Sequence, residues 1–369
     1  MGDLQYIDGF RLGAAAAPLQ GQIAAHAARL AAGGRRVRLM EVCGSHTMAI
    51  GRFGLRDLLP ENVELVSGPG CPVCVTDNGY IDAAIELARR EVVVVTFGDM
   101  LRVPGSAGSL AAARTAGARV EVAYSPERAL EIARREPERQ VVFLAIGFET
   151  TVAPVISLIA AAEREGVGNL SLLVAFKLVP PALEALIADP ELQIDGFLCP
   201  AHVSAIIGSE AYRPIVERHR LPCVVAGFEP LDILLGLRGL LEMLAEQRPG
   251  LRNDYSRVVR PEGNTRARAL IERYLQPVDA AWRGIGTIPA SGLGLRAEWS
   301  AFDAERRFDV STLGGRVDRR CRCGEVLRGR IRPPECGLFA SVCTPEQPVG
   351  ACMVSSEGSC AAWYRYARH

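Results

Sequence analysis

Residues 63–97 read VELVSGPGCPVCVTDNGYIDAAIELARREVVVVTF. An apolar run at Val63–Val66 leads through a glycine-rich turn into a helical pattern at Ile81–Arg90, and a second apolar run follows at Val92–Phe97. Continuously apolar runs of this length are typical of parallel strands that are buried on both faces. The segment therefore predicts a strand–helix–strand unit and, with it, an α/β fold.

The same alternation extends in both directions, from about Arg35 to Leu244. The predicted strands are Val37–Val42, Val63–Val66, Val92–Phe97, Val120–Ala123, Val141–Ile146, Leu170–Ala175, Gly196–Cys199 and Cys223–Ala226. The predicted helices are Ile81–Arg90, Pro126–Arg135, Thr151–Arg164, Ala182–Ile187 and Leu231–Gln247. Eight strands allow one sheet or two smaller ones, and the charged stretch Arg134–Gln140 is a boundary between two units. We therefore predict two α/β domains, at residues 35–135 and 136–246.

The remaining chain, residues 247–369, has a different character. A polar linker at Gln247–Asp254 precedes one predicted helix, Pro261–Tyr274, and the sequence then becomes rich in Gly, Pro, Arg and Cys. A segment with so few regular elements builds little core and needs a metal or a crosslink to hold it. We predict a third, mostly irregular and helical domain here. An N-terminal helix at Leu19–Ala32, within residues 1–34, is able to pack on it or on the α/β part.

The amino-acid composition argues against several classes of function. The 369 residues carry 42 basic and 42 acidic side chains, and a net charge of zero argues against a nucleic-acid or anionic-membrane partner. No targeting signal and no apolar stretch of about 18 residues is visible, so we expect a cytoplasmic protein without a membrane segment. Eleven cysteines in a reducing compartment favour metal binding or thiol chemistry over a disulfide framework.

Unusual residues follow six of the predicted strands at their carboxyl ends, where open α/β sheets place their functional crevice. These endings are Cys43-Gly-Ser-His46, Ser67-Gly-Pro-Gly-Cys71-Pro-Val-Cys74, Gly98-Asp99, Gly147-Phe-Glu149-Thr-Thr151, Pro200-Ala-His202 and Gly227-Phe-Glu229-Pro-Leu-Asp232. Six endings on one predicted rim indicate a shared site. The two Gly-Phe-Glu endings indicate that the α/β region contains two related halves.

Cys71 and Cys74 form a Cys-x-x-Cys pair just before a helix that Thr76 or Asp77 opens. A helix N-terminus stabilises a thiolate, so pairs in this position are redox-active or bind metal. The alternative is two small buried residues in a turn. A zinc knuckle would need a second pair nearby, and none follows in the α/β region.

Cys43 is a lone thiol near His46, before a Gly-Ser turn that would expose it. It is a candidate nucleophile activated by histidine or a soft ligand for iron, and the alternative is a packed core cysteine. His202 stands at another strand end. Glu149 is a further candidate, although it could simply cap the helix that starts near Thr151.

Six cysteines crowd the C-terminal part: Cys321, Cys323, Cys336, Cys343, Cys352 and Cys360. They contain no Cys-x-x-Cys pair, and a thiolate-rich set without histidine suits an iron–sulfur cluster. Four of the six would ligate a [4Fe–4S] cluster, but spacing alone does not choose the four. A structural zinc is the alternative.

In combination, the endings at Cys43, Cys71, Gly147 and Pro200 and the cysteine-rich tail resemble the HypD family of [NiFe]-hydrogenase maturation factors. The resemblance covers nearly the whole chain. It implies two similar Rossmann-like parallel-sheet domains that face a cleft, and a separate cluster domain. It also implies that Cys321, Cys336, Cys343 and Cys360 hold a [4Fe–4S] cluster, with Cys323 and Cys352 as an extra redox pair beside it.

By the same resemblance, the protein carries the iron that becomes Fe(CN)2CO and so serves the hydrogenase large subunit indirectly. Its implied partners are the small chaperone HypC and the cyanide donor HypE, which HypF charges from carbamoyl phosphate. Cys43 would hold the iron together with a cysteine of HypC, and Cys71 and Cys74 would be the redox pair in the cleft. Met48 stands where some members have a second histidine, so no role is carried over to that position.

Thiolates stabilise a low-valent iron, and a thiol pair connected to a cluster can supply the electrons that cyanide transfer requires. Lys177, His202 and backbone N–H groups of the glycine-rich turns are candidate donors to the anionic ligands. Two other classes stay open. A cysteine-dependent reductase would turn over a small disulfide or thiocyanate without a partner. A structural docking protein would tolerate replacement of Cys43, Cys71 and Cys74.

Overall fold

The computed structural model describes residues 16–367. Residues 1–15 of the predicted N-terminal segment and the last two residues of the predicted third domain lie outside this range. Eleven strands lie within it: β1 (Val37–Glu41), β2 (Val63–Ser67), β3 (Val92–Thr96), β4 (Val120–Val122), β5 (Gln140–Gly147), β6 (Leu170–Lys177), β7 (Gly196–Pro200), β8 (Cys223–Ala226), β9 (Leu251–Asn253), β10 (Leu275–Trp282) and β11 (Gly286–Leu295).

The helices of the described range are mostly short. The α-helices are α1 (Ala16–Ala31), α2 (Gly44–Arg52), α3 (Pro72–Val75), α4 (Asn78–Arg89), α5 (Leu110–Thr115), α6 (Glu127–Arg135), α7 (Glu149–Glu165), α8 (Val179–Ile187), α9 (Ala201–Ile207), α10 (Arg213–His219), α11 (Pro230–Ala245), α12 (Thr265–Tyr274), α13 (Ala304–Phe308), α14 (Cys323–Leu327) and α15 (Ser359–Tyr366). Turns of 3-10 helix cover Leu55–Leu58, Gly98–Arg102, Ser209–Tyr212, Ala297–Phe302, Pro333–Glu335 and Ala351–Met353.

The strands form two sheets, and the predicted α/β class is confirmed. Sheet A has the order β2-β1-β7-β8-β9 and is parallel throughout. Sheet B has the order β10-β11-β6-β5-β3-β4, in which β3 to β6 are parallel and the β10–β11 hairpin is antiparallel. All eight strands expected from apolar runs are present.

Burial explains why those eight strands are recognisable in the sequence. All five residues of β3 are buried, because α4 and α5 cover one face of sheet B while α6 and α7 cover the other. A strand covered on both sides has no polar face and therefore reads as a continuous apolar run. The same pattern cannot tell which sheet a strand joins.

The division of the strands between the sheets differs from the predicted domains. The boundary predicted at residues 135 and 136 separates β4 from β5, yet both strands belong to sheet B. β1 and β2 belong with β7 and β8, because the chain leaves sheet A after β2 and returns to it at β7. Helix α1 packs on α11 against sheet A, with Ile23 and Leu30 buried there, and not on the C-terminal segment.

The C-terminal segment is less irregular than expected. Its hairpin β10–β11 extends sheet B by pairing with β6. The apolar pattern did not reveal these strands because β10 is an edge strand that carries Pro277, and β11 is rich in glycine. No helix within residues 16–367 is long and apolar enough to cross a bilayer.

One hydrophobic core is shared by both sheets and the tail; we call it the central core. It contains Met40 and Phe197 of sheet A, Trp282 of the hairpin and Phe148 after β5. It also contains four cysteines of the α/β part and five of the tail: Cys71, Cys74, Cys199, Cys223, Cys323, Cys336, Cys343, Cys352 and Cys360. The cysteine-rich segment is therefore packed into the body of the molecule, not attached as a unit with a core of its own.

Candidate redox and metal site

The carboxyl ends of four neighbouring strands in sheet A carry most of the predicted site residues. The order β2-β1-β7-β8 places the turn with Cys71, then Cys43, then His202, then Phe228 side by side along one edge. The six predicted endings do not share a single rim, because Asp99 and Glu149 follow strands of sheet B. Helix α3, which ends the Cys71 turn, contacts β5, so the two edges meet there.

Cys43 is the N-cap residue of α2 and keeps only 8% of its surface exposed. The backbone N–H groups of Ser45 and His46 favour its thiolate electrostatically, although its sulfur accepts no cap hydrogen bond from the described residues. Burial, together with the charge of Glu357, raises the pKa of Cys43 to about 12, and the two N–H groups offset this only in part. The thiol is therefore protonated in the isolated chain at neutral pH.

Glycines bring the Cys71–Cys74 turn against Cys43. A Cβ atom at Gly70 would lie 2.4 Å from the backbone nitrogen of Cys43, so no larger residue fits. The N–H of Gly44 donates to the carbonyl oxygen of Gly70 at 2.9 Å. Gly70 is thus required for the close approach of the two cysteine-bearing loops, whereas Gly68 makes room for the Met40 side chain.

Glu41, which was not among the predicted site residues, accepts hydrogen bonds from the loop that carries Cys43. It is fully buried, and burial raises its pKa to about 7. Thr47 Oγ1 donates to its Oε1 at 2.7 Å, and the Cys43 N–H lies 3.3 Å from its Oε2. The sequence did contain one indication that Glu41 belongs to the site. A carboxylate at the end of a buried strand needs hydrogen-bond donors close to it.

Glu357, the second residue that was missed, reaches the site from the tail. Ser45 Oγ donates to its Oε1 at 2.7 Å, and a Cβ at Gly44 would lie 2.4 Å from the Glu357 Cβ. Glu357 therefore covers the start of α2. No local sequence pattern could predict the contact between Ser45 and Glu357, which are 312 positions apart.

The two histidines lie on either side of Phe228. The His46 ring centroid is 4.8 Å and the His202 ring centroid 4.2 Å from that of Phe228. His46 Nε2 donates to the Gly227 carbonyl at 2.8 Å, its buried Nδ1 has no partner among the described residues, and burial lowers its pKa to about 4. Neither ring nitrogen bonds the Cys43 thiol, so histidine activation of a Cys43 nucleophile is not the arrangement found.

Cys71 and Cys74 form a disulfide at the N-terminus of α3, with a Cα–Cα distance of 5.2 Å. The Cys71 sulfur also accepts the Cys74 N–H at 3.2 Å. The Cys74 sulfur lies 3.9 Å from the carbonyl oxygen of Ala351 in the tail. The pair therefore contacts the Cys43 loop on one side and the residue before Cys352 on the other.

The six tail cysteines line one cavity with Leu338, Phe339 and Met353. The Cys323 thiol lies beside those of Cys321 and Cys352, and the Cys352 thiol lies beside that of Cys360. The Val349 N–H donates to the Cys343 sulfur at 3.3 Å. Within residues 16–367, no three His, Cys, Asp or Glu side chains converge as they would on one metal ion.

Glu149 and Lys177 lie at the edge of sheet B. Glu149 begins α7, but its Oε1 accepts the N–H of Val179 at 2.9 Å and so caps the neighbouring helix α8 instead of its own. Burial raises the pKa of Glu149 to about 7. Lys177 is buried at the end of β6, and burial lowers its pKa to about 8. Cys199 and Cys223 lie inside strands of sheet A and are fully buried, as expected.

Fold and site together define a two-sheet α/β protein in which a cysteine pair lies between a single strand-end cysteine and a six-cysteine cavity. The profile of the HypD family, described as "Hydrogenase formation hypA family", matches residues 18–367. The chain belongs to this family of hydrogenase maturation factors.

Individual relatives agree with this placement. The hydrogenase expression/formation protein HupD of Azotobacter chroococcum mcd 1 is 48% identical over 99% of this chain and 97% of its own length. The hydrogenase maturation factor HypD of Azotobacter vinelandii has the same identity and coverage. HypD of Escherichia coli strain K12 is 46% identical over 90% of both chains.

Proposed function

We propose that the protein is a cytoplasmic scaffold and redox factor that assembles the Fe(CN)2CO centre of [NiFe]-hydrogenases. The observation that carries this proposal is the position of the Cys71–Cys74 disulfide. It adjoins Cys43 through Gly70 and adjoins the tail cysteines through Ala351. Three groups of cysteines from distant parts of the chain thus form one continuous path.

Cys43 is the residue that holds the iron. The backbone N–H groups of Ser45 and His46 at the start of α2 favour its thiolate once a cation at the sulfur has displaced the proton. A soft thiolate suits low-valent iron better than an oxygen ligand does. One cysteine supplies only one ligand, so a partner provides another, and we assign this role to a HypC-type chaperone. His202, which is exposed beside this edge, is a candidate donor to the anionic ligands.

The tail cysteines fit a [4Fe–4S] cluster. Each thiolate of such a cluster binds a different iron, so its ligands surround a cavity and do not converge on one point. Six cysteines around an apolar cavity, with N–H donors to sulfur, have this character. Cys321, Cys336, Cys343 and Cys360 would hold it, with Cys323 and Cys352 as the adjacent thiols. When bound, the cluster supplies single electrons.

The chemistry balances with the Cys71–Cys74 dithiol as reductant. Cyanide arrives as a thiocyanate on a HypE-type donor that acts with HypF. Two electrons from the dithiol break its S–C bond, giving cyanide for the iron and a free thiol on the donor. The two dithiol protons pass to the products, and Cys71 and Cys74 become a disulfide. Two electrons and two protons regenerate the dithiol.

Infrared spectroscopy of the anaerobically purified complex with the chaperone tests the proposal. We expect bands of iron-bound CN and CO in the wild type and their complete loss in Cys43→Ser, with the brown cluster retained. Cys199→Ser, which replaces a buried core thiol away from the path, is the matched control and should keep the bands. Turnover of a free thiocyanate without a partner, and without these bands, would support a thiol reductase instead.

A further inference from the structure

The tail carries a basic surface next to Cys321. Residues 316–335 hold seven arginines and three carboxylates, in a chain whose overall charge is zero. Cys321 is the only one of the six tail cysteines that is not buried. It lines a surface cavity together with Val317, Arg319, Arg328 and Arg283. We call this surface the Cys321 face.

The Cys321 face carries a net positive charge, with four arginines and two carboxylates among its lining residues. Its two carboxylates are already paired, Asp318 with Arg320 at 2.8 Å and Glu325 with Arg322. Arg319 and Arg328 have no ion-pair partner among the described residues. Arg319 is exposed and Arg328 is half-buried with its Nε out of solvent, so an external carboxylate would meet their terminal nitrogens.

Arg283 adds a buried charge behind the face. It is 3% exposed, and its Nε donates to the carbonyl of Thr76 at 2.8 Å, just after the Cys71–Cys74 helix. One of its terminal nitrogens is buried without a partner within the described residues. Val317 is 45% exposed and gives the face an apolar centre.

Resting on the proposed function, we propose that a small acidic one-electron carrier protein docks on the Cys321 face and supplies the cluster with electrons. Electron transfer slows steeply with distance, so a carrier must approach the accessible edge of the cysteine cavity, which is Cys321. Electron-transfer complexes use small interfaces whose charges steer the encounter. An apolar centre flanked by Arg319 and Arg328, two arginines without an ion-pair partner among the described residues, fits a carrier whose own cluster is surrounded by carboxylates.

Binding tests this without relying on maturation activity. The full-length protein is titrated anaerobically with an oxidised acidic plant-type ferredoxin, and with basic cytochrome c as the probe of opposite charge. We expect ferredoxin to bind more tightly, with an affinity that falls as salt rises. Arg319→Glu/Arg328→Glu should weaken ferredoxin binding at least tenfold. Arg319→Glu alone, at an exposed position, should weaken it by a smaller factor.

The control exchanges two exposed arginines elsewhere, Arg114→Glu/Arg266→Glu on α5 and α12, which changes net charge equally. It should leave the affinity within twofold of wild type. Equal weakening in both double variants, unchanged binding in the Arg319 variants, or tighter binding of cytochrome c would overturn the docking proposal. Iron content is measured on the same samples, so a colourless wild type would count against the cluster and not against the docking surface.

Discussion

Lys177 is a buried basic side chain whose burial should affect the stability of the protein. Of the 42 Lys and Arg residues, it is the only lysine. It is 6% exposed and lines a cavity of about 300 Å3, and its side-chain amine has no hydrogen bond or ion pair to the described residues. The titratable groups that share this cavity are Tyr80, Asp77, Asp279, Asp303, Glu305 and Arg306.

Replacing Lys177 should change stability in a pH-dependent way. Burial lowers its pKa from 10.5 to about 8, although Asp77 opposes the shift. Between pH 8 and 10.5 the unfolded chain therefore binds more protons than the folded one, and stability rises with pH. Lys177→Met removes a buried charge, so we expect a higher melting temperature at pH 7, with a gain of roughly 3 kcal/mol at most. The gain should shrink towards pH 10.5.

Lys177→Arg is the matched control, because a guanidinium stays charged across this range. It should melt below the wild type, and the gap should widen as the pH rises, since only the wild type loses its buried charge. Thermal unfolding followed by circular dichroism at pH 7 and 10 measures both variants. A Lys177→Met gain that is the same at both pH values would show that burial does not shift the pKa of Lys177, because the folded and unfolded chains would then bind equal numbers of protons.

Individual site residues were predictable where chemistry and local position coincide. Cys43, Cys71 and His202 follow buried strands, and the sheet order places them together. Glu357 was not predictable, because its contact with Ser45 depends on how the tail folds back. The Nε2 partner of His46 was not predictable either, because Gly227 follows β8 and meets α2 only through the tertiary fold.

At the scale of elements, α3 differs from the strands that hold the other cysteines of sheet A. It is a single turn whose N-cap is Cys71, and its disulfide lies next to a carbonyl of the tail. Cys199 and Cys223 are free thiols in adjacent parallel strands. A helix N-terminus favours thiolate chemistry, whereas an apolar strand does not.

Differential alkylation should separate the two pairs. Protein that is unfolded anaerobically in the presence of an alkylating reagent should be labelled at Cys199 and Cys223 without any reductant. Cys71 and Cys74 should be labelled only after reduction, because they share a disulfide. Mass spectrometry of the peptides gives the label at each site. Equal labelling of all four cysteines before reduction would contradict a redox-active pair.

The elements themselves were predictable to different degrees. Buried strands such as β3 are predicted by their continuous apolar runs. The helices between the strands are predicted by the helical periodicity of their apolar residues. The hairpin β10–β11 gives a weak signal because its pairing with β6, not its own composition, makes it a strand. For the same reason, the sequence did not predict which strands belong to which sheet. Strand pairing depends on tertiary contacts and not on the composition of each strand alone.

At the scale of the whole molecule, the central core joins both sheets to the tail. Cys336, Cys343 and Cys360 pack in the same core as Met40, Phe197 and the Cys71–Cys74 pair. A cofactor held by these cysteines would therefore stabilise the contact region between the sheets as well as the tail. Loss of the cofactor should therefore destabilise parts of the structure outside residues 321–360.

Replacing a tail ligand should consequently bleach the protein and loosen its centre. We expect about four irons per chain in the brown wild type, and loss of colour in Cys336→Ser or Cys343→Ser, because serine is a poor ligand for cluster iron. Hydrogen exchange should quicken in the tail and in α3, which contacts residues 351–353. Helices α6 and α11, on the outer faces of the two sheets, should stay protected.

Cys199→Ser is the control for that experiment, because it changes a thiol of the same core that no cluster would use. It should keep the colour and the iron content, even if it costs some stability. A wild type that is colourless and holds stoichiometric zinc would replace the cluster with a structural metal. A brown Cys343→Ser protein with full iron would instead remove Cys343 from the ligand set. Faster exchange confined to the tail would show that the central core holds together without the metal.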